Sequence, residues 1–319
     1  MKKCIKRALF LTACAAGTIH IVNRFIENTA NMKDILNTDN GKYYDWKNGR
    51  IYYQKCGTGS PVLLVHDLSP IGSSYEWCRF AKKLEKHHTV YTIDLLGCGR
   101  SDKPYLTYTN YLYVQLITDF IRDVIQESPA VITTNHSISF VILAANMHRH
   151  LIKKIIAINP PVIQTSHKKS FRLDTWKKYI LKSPILGTFL YNMETIETKI
   201  QKILRKEYFY NSQLVSTKML DAYYESAHLE KSHGKYLMVS LSIGYIDNLI
   251  GHAVNNLETP LAIIASSQMK GSITAVDSYR RLNKNLETSY LSNAGLTPQL
   301  EMPERLLHIV DALLDTSVK

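Results

Sequence analysis

Short, almost unbroken apolar runs alternate with segments of helical periodicity along most of this chain. "PVLLVHD" (61–67), "TVYTIDLL" (89–96), "AVITT" (130–134) and "IKKIIAINP" (152–160) are the runs. "SSYEWCRFAKKLEKHH" and "YLYVQLITDFIRDVIQE" lie between them with apolar residues at helical spacing. A strand covered on both faces needs such runs, and strand–helix–strand order is met by a largely parallel sheet clad in helices. Ahead of these, "KYYDWKNGRIYYQK" brackets Asn48-Gly49 with alternating aromatic and polar residues, which predicts a hairpin opening the sheet. From about Gln164 to Leu257 the alternation stops and only helical patterns remain. "PLAIIASS" (260–267), the helix "ITAVDSYRRLNKNL", "ETSYLSNA" and "PERLLHIVDALLDT" then restore it. The expected organisation is an α/β core over 40–163 and 258–319, a helical lid over 164–257, and a separate N-terminal segment over 1–30.

That segment carries Lys2, Lys3, Lys6 and Arg7 ahead of an apolar run from Ala8 to Val22, with no acidic residue before Glu27. Its layout is that of a signal sequence or signal anchor. Fifteen residues of helix reach about 22 Å, so spanning a hydrocarbon core of about 30 Å draws on residues up to Ile26. Three fates are open: an uncleaved anchor or surface helix, a cleaved signal, and a helix packed on the domain. We expect the first, hence a membrane-associated protein; the side of the membrane and the oligomeric state stay open. Lys and Arg exceed Asp and Glu by 39 to 27, but no nucleic-acid fold signature accompanies the charge and no nucleic-acid partner is expected. Cys4, Cys14, Cys56, Cys78 and Cys98 are irregularly spaced, which predicts free thiols rather than a disulfide framework.

"PVLLVHDLSPIGSSYEW", "VYTIDLLGCGRSDKP", the turn "NHSIS" (135–139), "KKIIAINP" and the closing "TPLAII…NAGLTPQLEMPERLLHIVDALL" occur in one order. Together they resemble the successive landmarks of the α/β-hydrolase fold, in particular its capped members such as haloalkane dehalogenases, epoxide hydrolases and small esterases. The resemblance covers roughly residues 40–319. It implies a mostly parallel eight-stranded sheet flanked by helices, with an inserted lid over a pocket at the carboxyl ends of the strands.

In that family a nucleophile occupies G-x-S-x-G, a strained turn between strand and helix. Matching Asn135-His136-Ser137-Ile138-Ser139 to it puts Ser137 at the nucleophile's place, with Asn135 and Ser139 where glycines belong. The backbone N–H groups of Leu68 and Ile138 would form the oxyanion hole, with His66, Asp67 and His136 adjacent to the pocket. An inward Asp67 carboxylate would penalise an oxyanion; the expected alternative is a cap or a solvent-facing side chain. A serine hydroxyl needs a base, and the base an orienting acid. The resemblance puts Met269 at the acid's place and Leu296 at the histidine's, while Asn159 stands where some relatives keep the acid instead.

His228, His233 and His252 lie in the lid, from which one could reach down to Ser137 as a relocated base, Asp247 being the nearest orienting partner for His252. "GCGRSD" lacks the third glycine of a dinucleotide loop, Asp102 holding its place, and "HRH" (148–150) lacks further ligands at metal spacing, so no cofactor and no metal is expected. Between Lys168 and Lys206 ten Lys or Arg face three acids, read as a solvated face or a surface for anionic head groups. Three functions are compatible with these residues: a pseudo-hydrolase or weak hydrolase binding a small apolar or ester-like ligand, which we expect; an active serine hydrolase with a relocated base; and an interaction protein using the lid as its interface.

Overall fold

The computed structural model describes residues 2–37, 40–165 and 174–315. Eight strands form one sheet: β1 (Gly41–Trp46), β2 (Gly49–Cys56), β3 (Pro61–Val65), β4 (Thr89–Ile93), β5 (Ala130–Thr134), β6 (Lys154–Ile158), β7 (Leu261–Ser266) and β8 (Glu287–Leu291). Their spatial order is β1-β2-β4-β3-β5-β6-β7-β8. β1 and β2 form the expected hairpin, its loop being Lys47-Asn48 with Gly49, at φ 139°, already paired with Trp46, and β2 runs antiparallel to β4; every later pairing is parallel. The sheet is thus the mostly parallel, eight-stranded one that the sequence predicts.

The apolar runs are continuous because both faces of the sheet are covered. Along β5, Val131 packs into one cluster with α-helical partners such as Phe140 and Tyr113, while Ile132 joins the opposite cluster with Phe80 and Leu306. Alternate side chains of a strand point to opposite faces, so each residue of such a strand is a core residue and contributes roughly 1.5–3 kcal/mol when a large aliphatic is buried. The helices that supply the cover are α2 (Cys78–Leu84), α3 (Asn110–Phe120), α4 (Ile138–Met147), α11 (Ser272–Arg280), α12 (Pro298–Glu301) and α13 (Pro303–Asp315); the numbering leaves α1 for the N-terminal helix and α5–α10 for those described next.

Between β6 and β7 the described residues hold α5 (Asp174–Lys182), α6 (Leu186–Glu194), α7 (Glu197–Ile203), α8 (Thr217–Ser232), α9 (Lys235–Ile243) and α10 (Gly251–Asn255). They have an apolar cluster of their own, in which Leu204, Tyr208, Met219 and Tyr223 meet Ile71 and Leu300 of the sheet's rim. Residues 166–173, which include Lys168, Lys169 and Arg172 of the basic stretch, lie outside the described residues.

Helix α1 (Lys2–Asn31) is packed on the domain at one end and exposed along the rest. Its apolar side chains Ile5, Leu9, Phe10, Leu11, Ile21 and Phe25 are exposed, and Ile5–Asn31 is long and apolar enough to cross a membrane, a property that a signal sequence shares. Its last third packs on α6 and α8. There Asn23 is buried, donating to the Ile185 carbonyl at 3.0 Å and accepting from the Asn192 amide at 3.1 Å. Cys14, Cys56, Cys78 and Cys98 are free thiols.

Candidate functional site

β3 has β4 on one side and β5 on the other, so the chain leaves the sheet in opposite directions at the carboxyl ends of β3 and β5. A crevice opens at such a switch point. Residues 66–68 follow β3, residues 135–137 follow β5, and the lid helices close the crevice from above. The resulting cleft has a volume of about 640 Å³ and is lined by Asp67, Leu68, Asn135, His136 and Leu296 from the core and by Tyr208, Ile246 and Asp247 from the lid, among others.

At the turn after β5 the structure corrects the sequence reading by two residues. The left-handed backbone that marks the tip of such a turn belongs to Asn135, with φ of 43°, a conformation that asparagine tolerates better than most residues. Ser137 has ordinary helical geometry, φ −67° and ψ −15°, at the start of α4. It is fully buried, and its hydroxyl donates to the His66 carbonyl at 2.6 Å, stapling the end of β5 to the end of β3. Ser137 therefore does not face the cleft, whereas the Asn135 side chain does.

The oxyanion-hole expectation moves with it. Ile138 donates its N–H to the carbonyls of Asn135 and His136 and has none to spare. The N–H following the tip is that of His136, and it is already engaged: it donates to Asp67 Oδ1 at 3.1 Å, while the Asn135 amide donates to Asp67 Oδ2, also at 3.1 Å. Asp67 is 5% exposed, so it is neither a solvent-facing carboxylate nor a cap but an inward one, seated on the donor where a developing oxyanion would sit. Leu68 lines the cleft.

His66 lies beneath this arrangement rather than in the cleft. It is fully buried; Leu95 N donates to its Nε2 at 3.0 Å, which leaves the proton on Nδ1, donated to the Asp67 carbonyl at 2.7 Å. Burial holds its pKa below the usual value, so the ring is neutral. Sequence reading missed Glu76, which is buried and accepts from the Asp67 N–H at 3.3 Å. Burial, and then the neighbouring Asp67 charge, push its pKa well up. An acid inside an otherwise apolar helix start, "SYEWCRF", was the available signal.

The places of base and acid do converge on the tip. Leu296 and Met269 share the wall of a second pocket, about 140 Å³, with Asn135 and Asn159. Asn159 itself is a structural clasp, its amide donating to Ser266 Oγ and to the carbonyls of Gly295 and Leu296 at 3.0–3.1 Å, its Oδ1 accepting from Ser266 N at 2.7 Å. Gly295 is required by close approach: a Cβ there would lie 2.4 Å from the Tyr208 carbonyl. The lid histidines do not reach the tip by any hydrogen bond among the described residues. His228 is held by the Tyr224 carbonyl and Thr195, with burial lowering its pKa to about 4; His233 packs on Tyr236; His252 is exposed beside Asn256. Asp247 accepts from the Asn110 amide at 3.2 Å. Among the described residues no group of His, Cys, Asp and Glu is arranged to hold a metal ion.

Comparison with known proteins gives the geometry a lineage. Over 72 residues the chain is 33% identical to 2-hydroxy-6-oxo-6-(2'-aminophenyl)hexa-2,4-dienoic acid hydrolase of Metapseudomonas resinovorans, covering 22% of this chain and 24% of that one. Over 69 residues it is 41% identical to the mesoderm-specific transcript protein of Mus musculus, covering 20% of each. These matches span about a quarter or less of each curated relative's length. Among solved structures, the meta-cleavage product hydrolase of Pseudomonas fluorescens IP01 superposes with a TM-score of 0.71 at 17% identity, over 88% of this chain and all of that one. A bacterial membrane phospholipase A does so at 0.69 and 19% identity, over 99% of both chains. The model of the alpha/beta hydrolase family matches residues 62–306, most of the chain; with the sheet order and the turn after β5 described above, the chain belongs to the alpha/beta hydrolase family.

Proposed function

We propose that this protein is a membrane-attached, non-hydrolytic member of its family that binds a small, largely apolar ligand in the cleft between core and lid. One observation carries the reading: at the tip of the turn stands Asn135, and the Asp67 carboxylate occupies the adjacent His136 N–H. An amide is not a nucleophile at neutral pH, and a carboxylate on the oxyanion donor repels the charge that acyl transfer must develop there. Leu296 and Met269, apolar and facing the same tip, offer neither a proton acceptor nor a group to orient one. Attachment to a membrane is supported by the exposed apolar band of α1 and its cluster of positive charges at the N-terminal end.

The test is activity-based labelling of the purified, full-length protein with a fluorophosphonate, beside a short p-nitrophenyl ester as substrate. No labelling and no ester turnover above the buffer rate are expected. Labelling that disappears in Ser137→Ala would overturn the reading, because it would require the turn to open and expose a hydroxyl now bonded to the His66 carbonyl.

A further inference from the structure

Helix α8 ends in a break that its sequence does not ask for. Leu229 turns out of the helix with ψ of 155°, and Glu230, Lys231 and Ser232 follow with φ of 54°, 56° and 56°. Successive left-handed residues are costly, because each sets its Cβ against the next carbonyl; glycine, asparagine and aspartate visit this region, and they do so singly. Leucine, glutamate and lysine favour a right-handed helix. Gly234 lies two residues further on and keeps right-handed geometry, with φ of −51°. A Cβ there would lie 2.5 Å from the Tyr191 hydroxyl, so this glycine serves close approach and not the turn. Glu230 and Lys231 are exposed, and burial of their side chains does not offset the strain.

The break separates a fixed element from one with weaker ties. Before it, the Ser226 hydroxyl donates to the Gly72 carbonyl of the core and the Tyr191 hydroxyl of α6 donates to the Ala227 carbonyl, both at 2.8 Å. After it, α9 carries Lys235, which is 2% exposed. The Lys235 ammonium donates to the Ser183 carbonyl at 2.9 Å and to Thr188 Oγ1 at 2.7 Å, and no carboxylate among the described residues pairs with it. A cation buried on neutral acceptors alone is costly, and it regains water when its helix moves. Against these costs, Tyr236 and Leu237 are buried in the main core cluster and Ser240 Oγ accepts from Tyr108 N at 3.0 Å, so the closed position is the resting one. The far end of α9 supplies Leu241, Ser242 and Ile243 to the cleft wall.

We infer that α9 is the gate of the cleft and turns about residues 229–232. Return of these residues to right-handed geometry releases the strain and carries Leu241 and Ile243 off the wall. This regulation of access deepens the binding role proposed above and rests on it.

Thiol trapping in the full-length protein, without ligand, reads the opening directly. Val239→Cys puts a thiol at a position of α9 that is 2% exposed, and Ala222→Cys puts one at a fully buried position of α8 before the break. A water-soluble maleimide modifies each only when its helix leaves its seat, at a rate set by the open population when reclosing is fast. Peptide mass spectrometry separates these sites from the native cysteines. Val239→Cys should react faster than Ala222→Cys. Adding Lys231→Gly, which removes the left-handed penalty at one residue, should slow Val239→Cys about five- to thirtyfold and leave Ala222→Cys unchanged. Lys231→Ile, β-branched and worse in this region, should speed it. An unchanged rate in Lys231→Gly, a parallel change at both thiols, or equal rates at the two thiols would each overturn the gate. Should Lys231→Ile fail to fold, the glycine variant decides alone. The trapping needs neither ligand nor turnover, and fluorophosphonate labelling reports on the non-hydrolytic role, so the two readings fail separately.

Discussion

A buried ion pair lies beneath the loop that carries Asp67. Asp94, just past β4, is fully buried and takes Arg100 Nε at 2.8 Å, Arg100 N at 2.8 Å and Ser74 N at 2.7 Å, fixing the loop that carries Asp67 onto the sheet. Burial alone would raise the Asp94 pKa, but the Arg100 charge and its hydrogen bonds outweigh this and bring it down to about 2. A carboxyl held below its unfolded value adds stability that is complete above about pH 4 and is lost as the pH falls from there towards 2, about 2 kcal/mol in all. Asp94→Asn is expected to cost about 3 kcal/mol or more at neutral pH, since it strands the guanidinium. Urea denaturation at pH 7 and at steps from pH 5 to 2 checks both: the wild-type midpoint should drop within the acid window, and the variant's should be lower at neutrality and fall less. The tip itself shows where reading residues in order stops working. Asn-His-Ser-Ile-Ser has the spacing of the family's motif, yet the strand ends at Thr134, and the left-handed residue must follow it directly. Motif spacing carries no information on φ, so it put Ser137 where the backbone puts Asn135. Leu296 and Met269 were placed by their flanks, Gly295 and Pro298 around one and β7 before the other, and both line the pocket that Asn135 enters.

Elements were easier to read than residues because burial on both sides of a sheet leaves a mark in every residue of a strand. All eight strands lie where apolar or alternating runs predict them. What the runs do not encode is how α1 meets the lid, since the polar side chains that orient this contact leave no periodic mark. Asn23 answers Ile185 and Asn192, and just past the helix Ile35 N donates to Glu225 of α8 at 2.7 Å, while the core's Arg100 holds the Leu36 carbonyl at 2.6 Å. An asparagine within an apolar run is a hint of such a partner only in retrospect. Asn23→Ala should take the acceptor from the buried Asn192 amide and one of two donors from the Ile185 carbonyl, which keeps Phe189 N, and loosen the docking by about 1–3 kcal/mol. Hydrogen exchange would then show faster exchange across α6 and the end of α1, while β3 and β5–β7 keep their protection. Equal protection of α6 in wild type and variant would mean that the contact holds nothing in place.

At the scale of the whole molecule, the docked end of α1 sets where a membrane would have to lie. Because Asn23 and Ala30 are buried, the apolar part of the helix free to enter a bilayer covers residues 8–22, about 22 Å at 1.5 Å per residue, so spanning a hydrocarbon core of about 30 Å requires the basic residues before it to snorkel. Lys3, Lys6 and Arg7 lie at its far end, where long basic side chains would reach head groups if the helix spans, and the lid lies at its near end. The protein would then sit with its lid towards the bilayer, and an amphiphile would reach the cleft from the membrane rather than through water. This arrangement predicts that attachment resides in the free part of α1 alone. Leu9→Asp with Phe10→Asp places two charges in its exposed apolar band, each costing about 2.5–3.5 kcal/mol at the centre of a spanning helix. The double variant should be extracted from membranes by alkaline carbonate, whereas the wild type stays with the lipid. Its melting temperature should be unchanged, since neither side chain touches the core. Extraction of the wild type under the same conditions would leave α1 as a helix packed on the lid, and the route to the cleft would be through solvent.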